Sequence, residues 1–365
     1  MTFLTSLGQS VITLIVFLAM LGILVIVHEL GHFVVARLAR VRVLEFGVGF
    51  PPRARVLRSE GETLYTLNWL PIGGFVKLEG EDGGSKDPRS FTAAALPVKL
   101  IILVAGVAMN LVLAFAIMTA IALLPNPALA YVIAEVQPNS PAQAVGLTVG
   151  DEVLALNGTY YDQFGPTILD ALRSSPGQPV TLTVQRAAGG VEDLAVTLRD
   201  PSQIDATHGP LGIGGHGRLT ERTVSHDPLT ALRLGSERTG RAFLLILGGL
   251  GDLGDAIINR PTEAPPVQGP VGIAVGVGDV FWQQGPMATL FLAGLLSANL
   301  ALVNILPLPP LDGGRMLVIL IKAVVGKRLS IQAERLSYVI GFGFLMAFLA
   351  WITFFDIARQ VGGGQ

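Results

Sequence analysis

No formally charged side chain occurs before Glu29, and three more charge-free stretches follow, from Leu100 to Leu124, Met287 to Leu311 and Leu336 to Phe355. Each is long enough to cross about 30 Å of hydrocarbon as a helix. Lipid offers no water to backbone polar groups, so spanning segments must satisfy their own hydrogen bonds, and stretches of this length do so as helices. The composition agrees: 51% of residues are hydrophobic, 14% are charged, and the mean hydropathy is +0.59, outside the range of ordinary soluble domains. A net charge of -2 and a pI near 6.2 leave no electrostatic footprint for nucleic acid, so no such partner is expected. The chain has no cysteine, which excludes disulfides and thiolate metal sites and leaves His, Asp and Glu as ligands.

The first charge stands between two histidines, as His28-Glu29-Leu30-Gly31-His32. Positions i and i+4 share a helix face, so both imidazoles can reach one metal ion while the carboxylate of Glu29 stands beside them. Ionisable groups at bilayer depth are expensive unless they face protein or a wet cavity, which makes this cluster a functional candidate by its position. The preceding apolar run lacks a basic start and a small-residue cleavage site, so it reads as a retained helix rather than a signal peptide.

Orientation follows from Lys and Arg. The segment from Arg37 to Arg89 carries nine of them, and a later loop carries Lys322, Lys327, Arg328 and Arg335; both should be cytoplasmic by the positive-inside rule. The first nine residues have no Lys or Arg and the tail after Asp356 has only Arg359, which puts both termini outside. The stretch from about Pro125 to Gly285 then lies outside the cytoplasm, and the histidines sit toward the cytoplasmic end of the first span.

Within the outer stretch, alternation from Tyr131 to Val136, a Gln-Pro-Asn-Ser-Pro turn, a short helix to Gly146, and Val149 to Gly158 read as strand, turn, helix and strand. Further strands are expected at Val180 to Gln185 and Leu194 to Leu198, with Leu211-Gly212-Ile213 closing the unit. The recurrence of Ser-Pro-Ala, Gly-Leu, Gly-Asp and Asn-Gly in this order resembles a bacterial, circularly permuted PDZ domain. Such a domain would take an extended peptide or C-terminus as an added strand. A tandem second copy does not fit before the Pro-rich Pro261 to Pro266, and Phe243 to Leu247 and Ala256 to Ile258 read as short interfacial helices.

Two other segments stand out. Glu45 to Pro51, Thr63 to Trp69 and Pro71 to Leu78 are strand-like and punctuated by glycine, which fits β-hairpins that either dip into the membrane beside the histidines or form a small cytoplasmic hairpin. The third span runs through Asn304 to Gly314 with three prolines and two glycines, which must break the helix where the freed backbone is buried or lines a cavity. It carries Asp312 at a depth compatible with His28 and His32. Asp312 is therefore a candidate third ligand, with capping of the resumed helix or pairing with Arg315 as the alternatives.

Nearly the whole chain resembles the site-2 protease family of zinc intramembrane metalloproteases, in its bacterial PDZ-containing branch. The likeness rests on His28 to His32, Pro71 to Leu78, the second span with Asn110, the PDZ-like unit, Gly269 to Ile273, and Asn304 to Gly314. It implies Zn2+ held by His28, His32 and Asp312, Glu29 as the catalytic acid and base, Asn304 holding the substrate strand, and Gly47 and Gly49 in a hairpin that guides it. It implies substrates that are single-span membrane proteins already trimmed outside, such as anti-sigma factors or signal-peptide remnants, in the bacterial inner membrane. A membrane-anchored PDZ scaffold with a vestigial metal site is the main alternative class; a metal transporter is a weaker one, since neither internal repeats nor more spans are visible.

The expected fold class is a multi-pass α-helical membrane protein of about four transmembrane helices, with membrane-associated β-hairpins and one inserted extracytoplasmic PDZ-like α+β domain, in contact with membrane lipid. The expected boundaries are 1–38 for the first span, 39–96 for the hairpin region, 97–124 for the second span and 128–217 for the PDZ-like domain. Interfacial helices and linker fill 218–286, the broken third span is 287–325 and the fourth span is 336–356.

Overall fold

In the computed structural model, which describes residues 3–59, 61–81, 85–205, 207–260, 263–325 and 331–362, the chain divides into two units. One comprises Met1–Met118 with Thr239–Gln365, the other Thr119–Arg238. Lys327 and Arg328, which contributed to the orientation argument, lie outside the described residues.

In the first unit, the opening apolar run forms helix α1 (Phe3–Leu38) and the second forms α2 (Leu96–Leu123). At 1.5 Å per residue, α1 is about 54 Å long, enough to cross hydrocarbon and continue beyond it. It ends where Arg40 takes a left-handed φ of 60° and Val41 N–H bonds back to Ala36 O, a Schellman-type stop. The two helices approach closely at small residues. A Cβ on Gly31 would lie 2.3 Å from Ala105 O, so glycine is what permits the contact.

Between α1 and α2 come strands β1 (Val43–Arg58) and β2 (Leu64–Leu78). Each is bent, and the register makes four segments of them. Val48 pairs with both Leu67 and Gly74, and Phe46 with both Tyr65 and Val76, so residues 43–50 lie between 64–70 and 74–78. Residues 53–58 pair on the far side of 64–70. The 74–78 segment is thus an outer segment of the sheet. It runs beside α1: Gly73 faces Val25, Gly74 faces Ile26 and Glu29, and the rings of Phe46 and Phe33 stack edge-on at 5.2 Å. Buried Glu45 inside this sheet is satisfied by Arg53 Nε at 3.0 Å and the Thr66 hydroxyl at 2.8 Å.

The expected short helices near 243–258 are instead parts of one 32-residue helix, α5 (Pro228–Asn259). The apolar run from Ala242 ends at Asp252, which suggested a short segment, but helix continuity depends on backbone hydrogen bonding and tolerates the two acids. With α5, five helices among the described residues are long and apolar enough to cross a membrane, one more than the four spans expected. Helix α6 (Pro270–Ile305) begins well before the expected Met287 and consists of two helices joined at Gly285, whose φ of 81° precedes Pro286. After a non-helical stretch come α7 (Asp312–Val325) and α8 (Ile331–Gly362). Residues 306–311 are thus non-helical, where the three prolines predict a break. Gly269 at the start of α6 offers no side-chain cap, and the buried carboxylate of Asp356 on α8 supplies one, accepting from Gly269 N at 3.2 Å and Gly272 N at 2.8 Å.

The second unit is built on a sheet of order β7-β6-β4-β3-β8, with short β5 added to β4. Its strands are β3 (Asn126–Val136), β4 (Glu152–Leu156), β5 (Thr159–Tyr160), β6 (Pro179–Gln185), β7 (Val191–Thr197) and β8 (Ile213–Val224). Two short helices, α3 (Pro141–Ala144) and α4 (Ile168–Arg173), carry side-chain caps from Ser140 and Thr167. Asn157 and Gly158, both at positive φ, make the tight turn between β4 and β5. The expected strands at 180–185 and 194–198 are present, and Leu211-Gly212-Ile213 leads into β8, an edge strand. The sheet reaches from 126 to 224, further than the expected 128–217. One buried cluster packs on this sheet, including Ile133, Val153, Leu172, Leu182, Val184 and Leu211.

Candidate metal centre

The i, i+4 spacing on α1 brings the Nε2 atoms of His28 and His32 to 3.1 Å, with the rings edge-to-face. Asp312, the first residue of α7, places Oδ2 at 2.9 Å from His28 Nε2 and 3.3 Å from His32 Nε2. The sequence dictates this return. Residues 306–311 fold back over the first turn of α7, so that a Cβ on Gly313 would lie 2.2 Å from Ile305 O and one on Gly314 2.5 Å from the Leu308 carbonyl carbon. Only glycine admits both contacts, which gives the Asp-Gly-Gly run its reason. Arg315 does not pair with Asp312; its guanidinium bonds Glu81, at the turn after β2.

A second helix face backs the histidines. His32 Nδ1 lies 2.8 Å from Ile102 O, and His28 Nδ1 lies 3.2 Å from Asn110 Nδ2. Gly106 stands between them on α2, where a Cβ would lie 2.4 Å from His32 Nε2 and 2.7 Å from His28 Cε1. The rings occupy the space that any side chain at 106 would need.

These residues fit a zinc ion. Tetrahedral zinc bonds of about 2.0–2.1 Å imply ligand-to-ligand edges of about 3.3 Å, and the three edges here are 2.9, 3.1 and 3.3 Å. Two imidazoles and one carboxylate suit zinc and leave a fourth position open. Glu29 is close enough to group with the two histidines, and its Oε2 accepts the backbone N–H of Val76 at 3.1 Å. A cavity of about 230 Å³ adjoins the cluster, lined among others by Glu29, His32, Phe75, Val76, Glu81 and Asp312.

Of the expected site residues, His28, Glu29, His32 and Asp312 come together. Asn304 sits half-buried on the last turn of α6 before the break. Gly47 and Gly49 lie in the inner segment of the sheet, where Gly47 packs under the Phe75 ring and Gly49 takes a φ of 79° over Leu70 O. Their smallness serves strand contact. Glu81 carries no sequence signal, because an acid in a basic loop is ordinary there, and Arg315 is suggested by sequence only as a partner for Asp312; their place beside the cavity singles both out.

The family model of peptidase family M50 matches residues 16–348. The chain belongs to peptidase family M50, the site-2 protease family. It is 28% identical to the zinc metalloprotease RasP of Geobacillus kaustophilus over 96% of this chain and 99% of that one. It is 33% identical to a "Putative zinc metalloprotease" of Clostridium perfringens, over 92% of this chain and 95% of the relative. Another protein described as a "Putative zinc metalloprotease", from Agrobacterium fabrum, is 29% identical over 95% of this chain and 96% of its own length. This M50 peptidase is a zinc metalloendopeptidase of the membrane, and the histidine–aspartate cluster is a donor set compatible with that metal.

Proposed function

We propose that this zinc intramembrane protease cleaves the spans of single-span membrane proteins already trimmed on the outer side, with His28, His32 and Asp312 holding the metal and Glu29 moving the proton. The observation that carries the reading is the convergence of two Nε2 atoms and one Oδ2 within 2.9–3.3 Å beside a carboxylate on the wall of the same cavity. When bound, zinc supplies a Lewis acid and lowers the pKa of water at its open position toward about 7. Glu29 accepts the proton of the attacking water and returns it to the leaving nitrogen.

A helical substrate hides its carbonyls in its own hydrogen bonds and must unwind to react. The outer segment 74–78 supports strand capture. Its Val76 and Leu78 N–H groups point to Glu29 and Glu81, at 3.1 and 3.0 Å, rather than to β1, so an unwound segment laid along this edge would run past the metal cluster. Gly47 and Gly49 keep the neighbouring segment close, and Asn304 stands ready to bond freed substrate amides. In this reading β1 and β2 lie in the membrane beside α1.

Four spans fit the even count: α1, α2, the second part of α6 and α8. Helix α5 then lies along the outer interface, its exposed Leu229, Leu244, Leu245 and Ile258 in lipid. Both termini and the β unit are outside, in a bacterial inner membrane. The order of strands in that unit, with edge strand β8 after Leu211-Gly212-Ile213, supports a permuted PDZ-like domain that takes an extended chain or C-terminus.

The test compares wild type with Glu29→Gln on a tagged, trimmed single-span substrate in detergent, with zinc quantified in both. The reading expects cleavage within the span by wild type, and a variant that keeps zinc but does not cleave. Cleavage by Glu29→Gln at the wild-type rate would remove Glu29 from the chemistry.

A further inference from the structure

The two histidines are treated differently by α2. An imidazole that ligates through Nε2 must carry its proton on Nδ1 and donate it there. For His32 this is already fixed, because Nδ1 faces the carbonyl of Ile102 at 2.8 Å, a group that can only accept. For His28, Nδ1 faces the amide of Asn110, with Nδ2 at 3.2 Å. A donor at that position would make Nδ1 the acceptor and send the proton to Nε2, the atom that must offer its lone pair to the metal. Asn110 is fully buried, and its Oδ1 has no partner among the described residues. The oxygen and nitrogen of an amide side chain occupy nearly the same shape, so their assignment follows from the hydrogen-bond network around them. Exchange moves the other amide atom to where Oδ1 now stands, so the requirement at His28 decides the orientation.

We infer that Asn110 is a positioning residue of the metal centre, its side-chain carbonyl accepting from His28 Nδ1–H and so holding Nε2 deprotonated toward the ion. Ile102, Gly106 and Asn110 recur every four residues and form one face of α2. The first holds His32, the second makes room for both rings, and the third holds His28. Asn110 is itself anchored, since its backbone oxygen accepts from the buried hydroxyl of Ser297 on α6 at 2.8 Å. That bond survives substitution of the side chain.

The inference rests on His28 being a ligand, so the experiment measures both in the full chain in detergent. Zinc affinity is read by competition with a chromogenic chelator, and thermal unfolding of the metal-free protein controls for folding. Asn110→Leu keeps the branching at Cγ, is larger, and loses the acceptor; zinc should bind about 10–100-fold more weakly, the usual effect of removing such a partner. Asn110→Asp can only accept at neutral pH and should bind zinc about as tightly as wild type, with the d–d absorption of the cobalt-loaded form preserved. Equal weakening in both variants, or wild-type affinity in Asn110→Leu, overturns the inference. Should Asn110→Leu fail to fold, Asn110→Asp alone decides, because a site that needs a donor from residue 110 loses zinc on that change. Retention of tight zinc binding by His28→Ala would instead remove the ligand reading itself.

Discussion

Replacing Gly106 by alanine tests whether the two α2-facing rings are held where a metal needs them. The added Cβ would lie 2.4 Å from His32 Nε2, 2.6 Å from His32 Cε1 and 2.7 Å from His28 Cε1. Carbon contacts relax to about 3.5 Å, so the rings or the helices must separate by about 1 Å. Metal–ligand distances tolerate about 0.2 Å, so that shift takes at least one nitrogen out of reach. Overpacking of this kind costs about 1–3 kcal/mol, and if the strain falls on the site, zinc binding weakens by about 5–150-fold. The rest of the α1–α2 contact, including Gly31 against Ala105, is untouched, so helix content should stay constant. The assay is zinc content after gel filtration and chelator competition, with circular dichroism on the same samples. Stoichiometric zinc at wild-type affinity in Gly106→Ala would refute the placement of both rings against α2.

Asn304→Leu should lower turnover of a single-span substrate by about 10–100-fold, the effect of losing one buried hydrogen bond to substrate, with zinc content unchanged; full activity would remove Asn304 from substrate handling. Asp162 and Arg238 form a pair buried to 1% and 3% side-chain exposure in the β unit, so Asp162→Ala should destabilise that unit by about 3–5 kcal/mol, read as lost hydrogen-exchange protection in β3 and β4. Asp151 gives an acid limit. Burial alone would raise its pKa, but the N–H groups of Ala187 and Thr148 and the Arg186 guanidinium hold it below the usual aspartate range. A depressed folded value stabilises above the unfolded pKa of about 4 and is lost as pH falls through the folded one. Protection in β4 and β6 should therefore fall below about pH 4 in wild type, and Asp151→Asn should flatten that dependence while lowering protection at neutral pH.

The parts of the site legible in the sequence are those that local geometry fixes. Helical spacing of four places His28 over His32 whatever surrounds them, and three prolines with two glycines announce a break whether or not its partner is known. Asp312 lies 284 residues from His28, and what linked them beforehand was a shared depth in hydrocarbon, a quantity that charge boundaries report. Other features depend on tertiary contact and leave no local trace. Asn110 is legible only as a lone amide in an apolar span that the family likeness includes, and its partner appears once His28 stands beside it; Glu81 reads as a loop charge until Leu78 and Arg315 approach. The outer segment 74–78 was legible as a strand but not as an edge, because its position depends on residues 43–50 pairing on both sides. Helix α5 differs from its expectation for the opposite reason: two acids interrupt the apolar pattern at 252 and 255, but the backbone carries the helix through them. Glycine connects the two groups. Gly31, Gly106, Gly313 and Gly314 each stand where a neighbouring backbone or ring fills the place of a Cβ. A glycine inside a helix costs about 1 kcal/mol against alanine, yet Gly8 and Gly343 have nothing within 4 Å of a Cβ position, so only the tertiary contacts tell which helical glycines mark a close approach.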